Sequence, residues 1–513
     1  MAPYFLRNLL PQKEKTEQTR PLWEVLASLT WTQWGLFFSG WLAWACDAID
    51  FFSVSLTIGD LKDQFHRPTH DITTSITLTL LFRSIGAIIF GLVSDRYGRK
   101  WPLIANLLLI SSLSLGCSFV QTFKQFLAIR SLFGVGMGGI WGLASASALE
   151  NLPVEARGIA SGIMQQGYAG GYLIAALVNL YLIPHTTWRN QFRTSAGVSA
   201  TAAIIRLFFP DSEVFLRARR EKQTGVEKSS KSKTRIFFHE IGQMLKNHWQ
   251  LCIYAVLLMS GFNFLSHGSQ DLYPTYLVDS KGFTKFNATV ATIIGNCGAI
   301  AGSIIAGWLS QYIGRRLTII VFVLLIGAFI PLWILPSTFG KLAAGAFCVQ
   351  FGVQGAWGVV PILLSEISPS AFRSTFPGVA YQLGNMVSSA SAQIEASVGQ
   401  HARTTIMTSD GPKDVPNYAL IQGIFIGCVS VYVIVLALIG PEKHGSHFER
   451  GKTAFQAGAS KEDVDSAGEN EVHNLNEMHD FDRSSMGSVG AKEKERVIQL
   501  VETKRPSRKD SYV

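Results

Sequence analysis

Residues 91–100 read GLVSDRYGRK, and residues 307–316 read GWLSQYIGRR. The two stretches share Gly, Ser, Gly, Arg and a basic final residue in one register, 216 residues apart. Working outward, the same offset carries Trp141, Glu150, Pro153, Arg157, Gly162 and Gln166 onto Trp357, Glu366, Pro369, Arg373, Gly378 and Gln382. A constant spacing without a gap marks an internal duplication. The chain reads as two related halves, 31–210 and 249–440, joined by a basic loop, 211–248, preceded by 1–30 and followed by a tail, 441–513.

Each half is apolar. The 513 residues are 48% hydrophobic and only 16% charged, with a mean hydropathy of +0.23, whereas a soluble chain carries about 25% charged residues. Windows of about 19 residues find roughly twelve membrane-length segments, six per half, among them 192–209, 250–277, 374–397 and 418–439. The expected fold is an all-α integral membrane protein: twelve transmembrane helices in two six-helix halves. The tail is rich in Ser, Glu, Lys, Gly and Asp with scattered apolar residues, a composition expected to be disordered. It reads either as a solubilising remnant or as a target for regulatory enzymes that modify its lysines and serines.

A net charge of +9 could point to nucleic acid. The positive residues instead gather in the N-terminus, at Arg96, Arg99 and Lys100, at Arg315 and Arg316, and in 211–248, where nine Lys/Arg face five Asp/Glu. An even number of spans puts all of these on one side, so both termini are expected in the cytoplasm, with the basic loop beside anionic lipid. Residues 1–30 contain no uninterrupted apolar core of the kind a signal peptide needs. The six cysteines fall within apolar segments without metal-ligand spacing. With no phosphate-binding loop, zinc motif or nucleophile elbow, neither an enzyme nor a cofactor or metal is expected.

The chemistry concentrates at 261–277, GFNFLSHGSQDLYPTYL. Asn263, His267, Asp271 and Thr275 follow at steps of four, joined by Ser266 and Gln270, and form one polar stripe on a helix. Ionisable groups at membrane depth usually face a water-filled path or a substrate. The 216-residue offset carries Asp47 onto Asn263 and Asp50 onto Ser266, so the first and seventh spans are equivalent, as in transporters whose repeats line a central cavity.

GLVSDRYGRK resembles the loop between the second and third helices of the major facilitator superfamily, and Arg130 followed by Gly134, Gly136 and Gly138 is similar to that superfamily's fourth-helix motif. In the second copy, Gln311 and Tyr312 replace Asp95 and Arg96, so no acidic latch is expected there. The stripe resembles the signature N-x-x-[ST]-H-x-[ST]-Q-D-x-x-x-T of fungal proton-coupled carboxylate permeases, in the sialate:proton symporter branch. Trp44, Asp47, Asp50, Phe51 and the run GPEKHGSHFE at 440–449 look like the same group. The resemblance implies a multi-pass plasma-membrane symporter importing short-chain carboxylates such as lactate, pyruvate or acetate. Dicarboxylate symport is the alternative, ahead of a sugar or sialic-acid carrier or a non-transporting nutrient receptor. Its partners would be the carboxylate, protons and the bilayer, with no nucleic acid.

Arg83, mid-helix in LTLLFRSIGAII, is either the substrate's carboxylate anchor, bidentate by its guanidinium, or a structural partner of Asp47 or Asp50. His267 titrates near neutral pH and reads as a proton or anion site or as a satisfied core residue; Asp271 either holds its ring or carries the proton. Asp47, Asp50 and Arg130 are further proton-coupling candidates, Arg130 also fitting interfacial snorkelling. Asn263, Gln270, Gln382 and Asn385 are candidate donors to substrate oxygens, while Gln165, Gln166, Gln350 and Gln354 line the cavity or cross-link helices. Asp95 with Arg96 and Arg99 reads as a gating latch. The position equivalent to Arg83 in the second half is Ala299, so one deeply placed cation is expected and one carboxylate is well satisfied.

Overall fold

The computed structural model describes residues 21–67, 69–211, 230–391, 402–408 and 411–443, with positions 216, 394, 395 and 398. The expected disorder of the tail beyond 443 falls outside the described residues. Six helices build the first half: α1 Trp31–Leu56, α2 Thr69–Tyr97, α3 Lys100–Cys117, α4 Phe123–Leu149 (interrupted at Gly139), α5 Val154–Tyr181 and α6 Arg189–Leu207. Six more build the second: α7 Trp249–Gln270, α8 Lys285–Ile313, α9 Arg315–Ile334, α10 Phe339–Ile367, α11 Thr375–Ser388 and α12 Tyr418–Ile439.

Local chemistry sets where these helices begin and end. Thr30 and Thr122 open α1 and α4 as reciprocal capping boxes with Gln33 and Gln125. The repeated decapeptides end α2 and α8 at Gly98 (φ 101°) and Gly314 (φ 93°), a left-handed backbone that a side chain would strain. Large apolar residues such as Ile424, Leu324 and Val431 are more than half exposed, as suits helices whose solvent is hydrocarbon.

Among the described residues, nine helices are long and apolar enough to cross a membrane, or ten with the bent pair Trp31–Leu56 and Ile58–Phe65. The sixth and eleventh segments fall short for different reasons. α6 carries Arg189, Arg193 and Arg206, and α11 is described over only 14 residues. The seventh segment also departs from the expected single stripe. α7 ends at Gln270, and Thr275 belongs to a separate short helix, Tyr273–Asp279, opened by Pro274. Within the joining loop, Ser230–Asn247 forms a helix that buries Phe237 and Met244. Between α11 and α12, Arg403–Thr408 and Gly411–Pro416 pair as an antiparallel hairpin.

The halves meet along two pseudo-symmetric crossings, α2 on α11 and α8 on α5. A Cβ on Gly91 would sit 3.0 Å from the Thr375 Cα, and one on Gly162 would sit 2.2 Å from the Ser303 carbonyl oxygen. Ser303 donates to the Gly162 carbonyl at 2.7 Å and Ser161 to that of Gly358 at 2.8 Å. Interhelical hydrogen bonds of this kind contribute roughly 0.6 kcal/mol each. This seam closes the end of the molecule that carries the α2–α3 and α8–α9 loops.

Candidate functional site

Asn263, Ser266 and His267 leave α7 on one face and line a small central cavity. Opposite them stand Arg83 from α2, Gln165 from α5 and Asn385 from α11. Gln354 of α10 and four aromatic rings complete the lining: Trp44 of α1 lies flat on Tyr168 of α5 at 5.3 Å, and Tyr381 of α11 sits 5.6 Å from Trp357 and 4.8 Å from Trp141, which is outside the lining. Both halves therefore contribute to one site.

The imidazole of His267 is held at both nitrogens. Nδ1 lies 3.0 Å from Asp271 Oδ2, and Nε2 lies 3.2 Å from Asn385 Oδ1. Both partners are acceptors, an arrangement that suits the doubly protonated ring. Asn385 Nδ2 then donates to Gln382 Oε1 at 2.9 Å, and Gln382 Nε2 to the Gly138 carbonyl at 3.4 Å. A chain of hydrogen bonds thus runs from α7 through α11 to α4, and Gln382 supports the lining instead of forming it.

Arg83 meets Asp47, resolving one alternative: Nη2 donates to Oδ2 at 2.7 Å, and both side chains are almost fully buried. The contact is single-pronged. Asp47 Oδ1 and Arg83 Nε have no hydrogen-bond partner, while the guanidinium lies 5.8 Å over the Tyr381 ring. The fork is thus only half used, with Asp47 behind it and the cavity in front. Asn263 lines the cavity but also donates back to the Met259 carbonyl at 2.8 Å.

Other expected residues fall elsewhere. Gln270 faces a second small cavity and donates to Gln350 Oε1 at 2.8 Å. Asp50 accepts from Ser114 of α3 at 2.5 Å and Ser199 of α6 at 3.3 Å, inside the first half. Three residues separate it from Asp47, which turns the two carboxylates about 60° apart on a helix and gives them different neighbours. Arg130 is fully buried, not snorkelling, with its guanidinium 4.2 Å over Phe133. Neither Asp50 nor Arg130 lines the central cavity.

The α2–α3 loop is built as a clasp. Asp95 accepts from Arg99 at 2.6 Å and, across the seam, from the Thr375 hydroxyl at 2.5 Å and the Thr375 amide at 3.0 Å. Arg99 also forks onto Glu150. Burial works against the charge on Arg99, but Glu150 and Asp95 outweigh it and hold its pKa above the ordinary arginine value. The Arg96 guanidinium packs over the rings of Tyr97 and Phe237. On the other side, Arg315 forks onto Glu366 in the same way, and Gln311, replacing the acid, donates to the Val154 carbonyl at 3.2 Å. That clasp is neutral where the first is anionic.

Sequence reasoning did not find Tyr381 or the aromatic walls, although Trp141 and Trp357 stood in the repeat. It also missed Glu395, a fully buried acid next to Gly268 of α7.

Comparison with known proteins agrees with this architecture. The Major Facilitator Superfamily model matches residues 36–392. A carboxylic acid transporter protein homolog of Saccharomyces cerevisiae is 35% identical over 83% of this chain and 71% of its own length. The cis,cis-muconate transport protein of Acinetobacter baylyi is 28% identical over 70% of this chain and 86% of its own, and a sialic acid transporter of Escherichia coli is 27% identical over 68% and 82%. Among solved structures, the proton:xylose symporter XylE superposes with a TM-score of 0.64 at 17% identity, over 81% of this chain and 98% of its own, which is a likeness of fold. Two six-helix halves, repeated loop clasps and a family match over most of the chain establish one conclusion: the protein is a member of the Major Facilitator Superfamily, a transporter and not an enzyme.

Proposed function

We propose that this protein carries short-chain monocarboxylates together with protons into the cell by alternating access of the central cavity. The observation that carries this reading is the half-engaged Arg83 fork, which shares a cavity with the His267–Asp271 pair. A guanidinium with unused donor capacity in a buried, partly aromatic site recognises a carboxylate, and burial strengthens that recognition. Several similar proteins are named for carboxylate-bearing cargo: carboxylic acid, muconate and sialic acid. Arg83 is the one arginine or lysine among the described residues lining the cavity, which favours one carboxylate over two.

His267 supplies the coupling. Protonated on the acidic side, it offsets the entering anion's charge; neutral on the less acidic side, it releases the anion. Asp271 stabilises the imidazolium, and Asn385 passes the change of state to α11. Asp47, Asp50 and Arg130 serve the proton balance of the first half, and the Asp95–Arg99 clasp gates the closed end. The protein resides in the plasma membrane with both termini in the cytoplasm. Labelled lactate uptake in a permease-deficient yeast, with cytosolic pH followed in parallel, tests the reading. Uptake with acidification is expected, rising as external pH falls below roughly 6.5, the unperturbed histidine value. Uptake without proton entry, unaffected by a protonophore, would overturn the symport mechanism.

A further inference from the structure

Glu395 lies in the helical stretch beyond α11, fully buried, against the backbone of α7 and the side of α12. A Cβ added to Gly268 would come within 3.0 Å of its Oε1, so α7 leaves room for this carboxyl one residue after His267. Gln422 of α12 donates from Nε2 to Glu395 Oε2 at 3.3 Å. Two oxygens remain without a hydrogen-bond donor: Glu395 Oε1 and Gln422 Oε1. Among the described residues, no cation stands within ion-pair distance of Glu395. The ionisable group whose field reaches it is Asp271, just past the end of α7 and another acid, and the apolar Phe425 of α12 packs against the same Gly268.

A bare carboxylate in such a place is costly: it has one amide donor, no cation and a like charge nearby. A single proton resolves both orphans. A carboxylic acid and a primary amide are complementary, the amide N–H donating to one acid oxygen while the acid O–H donates to the amide oxygen. The first of these bonds is present, and the two unsatisfied atoms are those that the second would join. Resting on the symport reading above, we propose that Glu395, paired with Gln422, is a proton-carrying residue of the transport cycle. It holds a proton in this closed-end conformation, packed against α7 one residue along from His267, and releases it to water when the cycle exposes the site. The proton leaves Glu395 Oε1 for a water molecule, the carboxylate remains, and reprotonation from water restores the acid, so charge and atoms balance over the cycle.

The test has a spectroscopic arm and a transport arm. In purified protein, the infrared C=O band of a neutral carboxylic acid is present in the wild type, absent in Glu395→Gln, and shifted in Gln422→Leu, which removes the amide partner but keeps the acid. In cells, Glu395→Gln retains exchange of labelled lactate at equal gradients, while its accumulation ratio drops to about one or less, that of an uncoupled carrier. A neutral-acid band unchanged in both variants, or full proton-coupled accumulation by Glu395→Gln, overturns the proposal. Failure of the symport reading is separate: it appears as lactate uptake without proton entry in the wild type itself.

Discussion

Asp47→Asn is the most informative perturbation of the cavity. The Arg83–Asp47 bond is 2.7 Å long with both side chains almost fully buried. Removing one member of a buried pair costs about 3–5 kcal/mol, because the remaining charge is left uncompensated. Asparagine keeps the volume and one acceptor oxygen but not the charge, so without ligand the variant should unfold at a clearly lower temperature than the wild type. A carboxylate substrate then supplies the missing anion. In the wild type the substrate competes with Asp47 for the same guanidinium; in the variant it does not, and its affinity should rise at least tenfold, about 1.4 kcal/mol. Thermal unfolding of detergent-solubilised protein across a lactate titration measures both effects. A second variant, Asp47→Asn with Arg83→Met, removes the orphaned charge as well. It should recover stability while losing the lactate response. If Asp47→Asn alone is as stable as the wild type, or gains no more than the wild type from lactate, Arg83 is not the anchor described above.

Arg83→Lys keeps the charge but loses the fork, and should reach the membrane while its lactate affinity falls roughly tenfold or more, measured as KM for uptake. Asp95→Asn weakens charge-assisted bonds to Arg99 and Thr375, and should shift the balance of conformations by about 1–3 kcal/mol, a factor of roughly 5–150, without changing the ranking of acids in competition assays. Gly162→Val drives a side chain into the Ser303 carbonyl. It should lengthen the distance between spin labels at the exposed positions 97 and 312; an unchanged distance would mean the seam does not open there. His267→Ala and Asp271→Asn should each abolish accumulation against a gradient, read as the steady-state ratio of labelled lactate.

The repeat made the architecture legible because its most local element has a backbone requirement. Gly98 and Gly314 both need positive φ, so the loops kept their sequence. Hydropathy placed α12 to the residue, at 418–439, because that helix meets lipid on much of its surface. It overlooked Ser230–Asn247, an amphipathic helix whose charged face dilutes any apolar window. The stripe on α7 was visible as a periodicity, but Pro274 ended it one turn early. Which acid would meet Arg83 was open in the sequence: Asp47 and Asp50 differ by three residues, and only the packing of α1 against α2, α3 and α6 separates them. Glu395 and Gln422 are 27 residues apart on different helical stretches, and a pairing of that kind leaves no periodic trace.

Tyr381 touches Trp357 of its own half and Trp141 of the other, at 5.6 and 4.8 Å. The two tryptophans are copies of one ancestral residue, but their relation to the tyrosine differs under motion. Rocking of the halves carries Trp357 along with Tyr381 and leaves Trp141 behind. Under the proposed cycle the duplication would leave the molecule with an optical gauge: one indole that keeps Tyr381 beside it, and one that loses that aromatic neighbour when the seam parts. A single-tryptophan protein retaining Trp141 would report loss of the Tyr381 contact by its emission, and its Trp357 counterpart would report opening of the cavity with that contact kept.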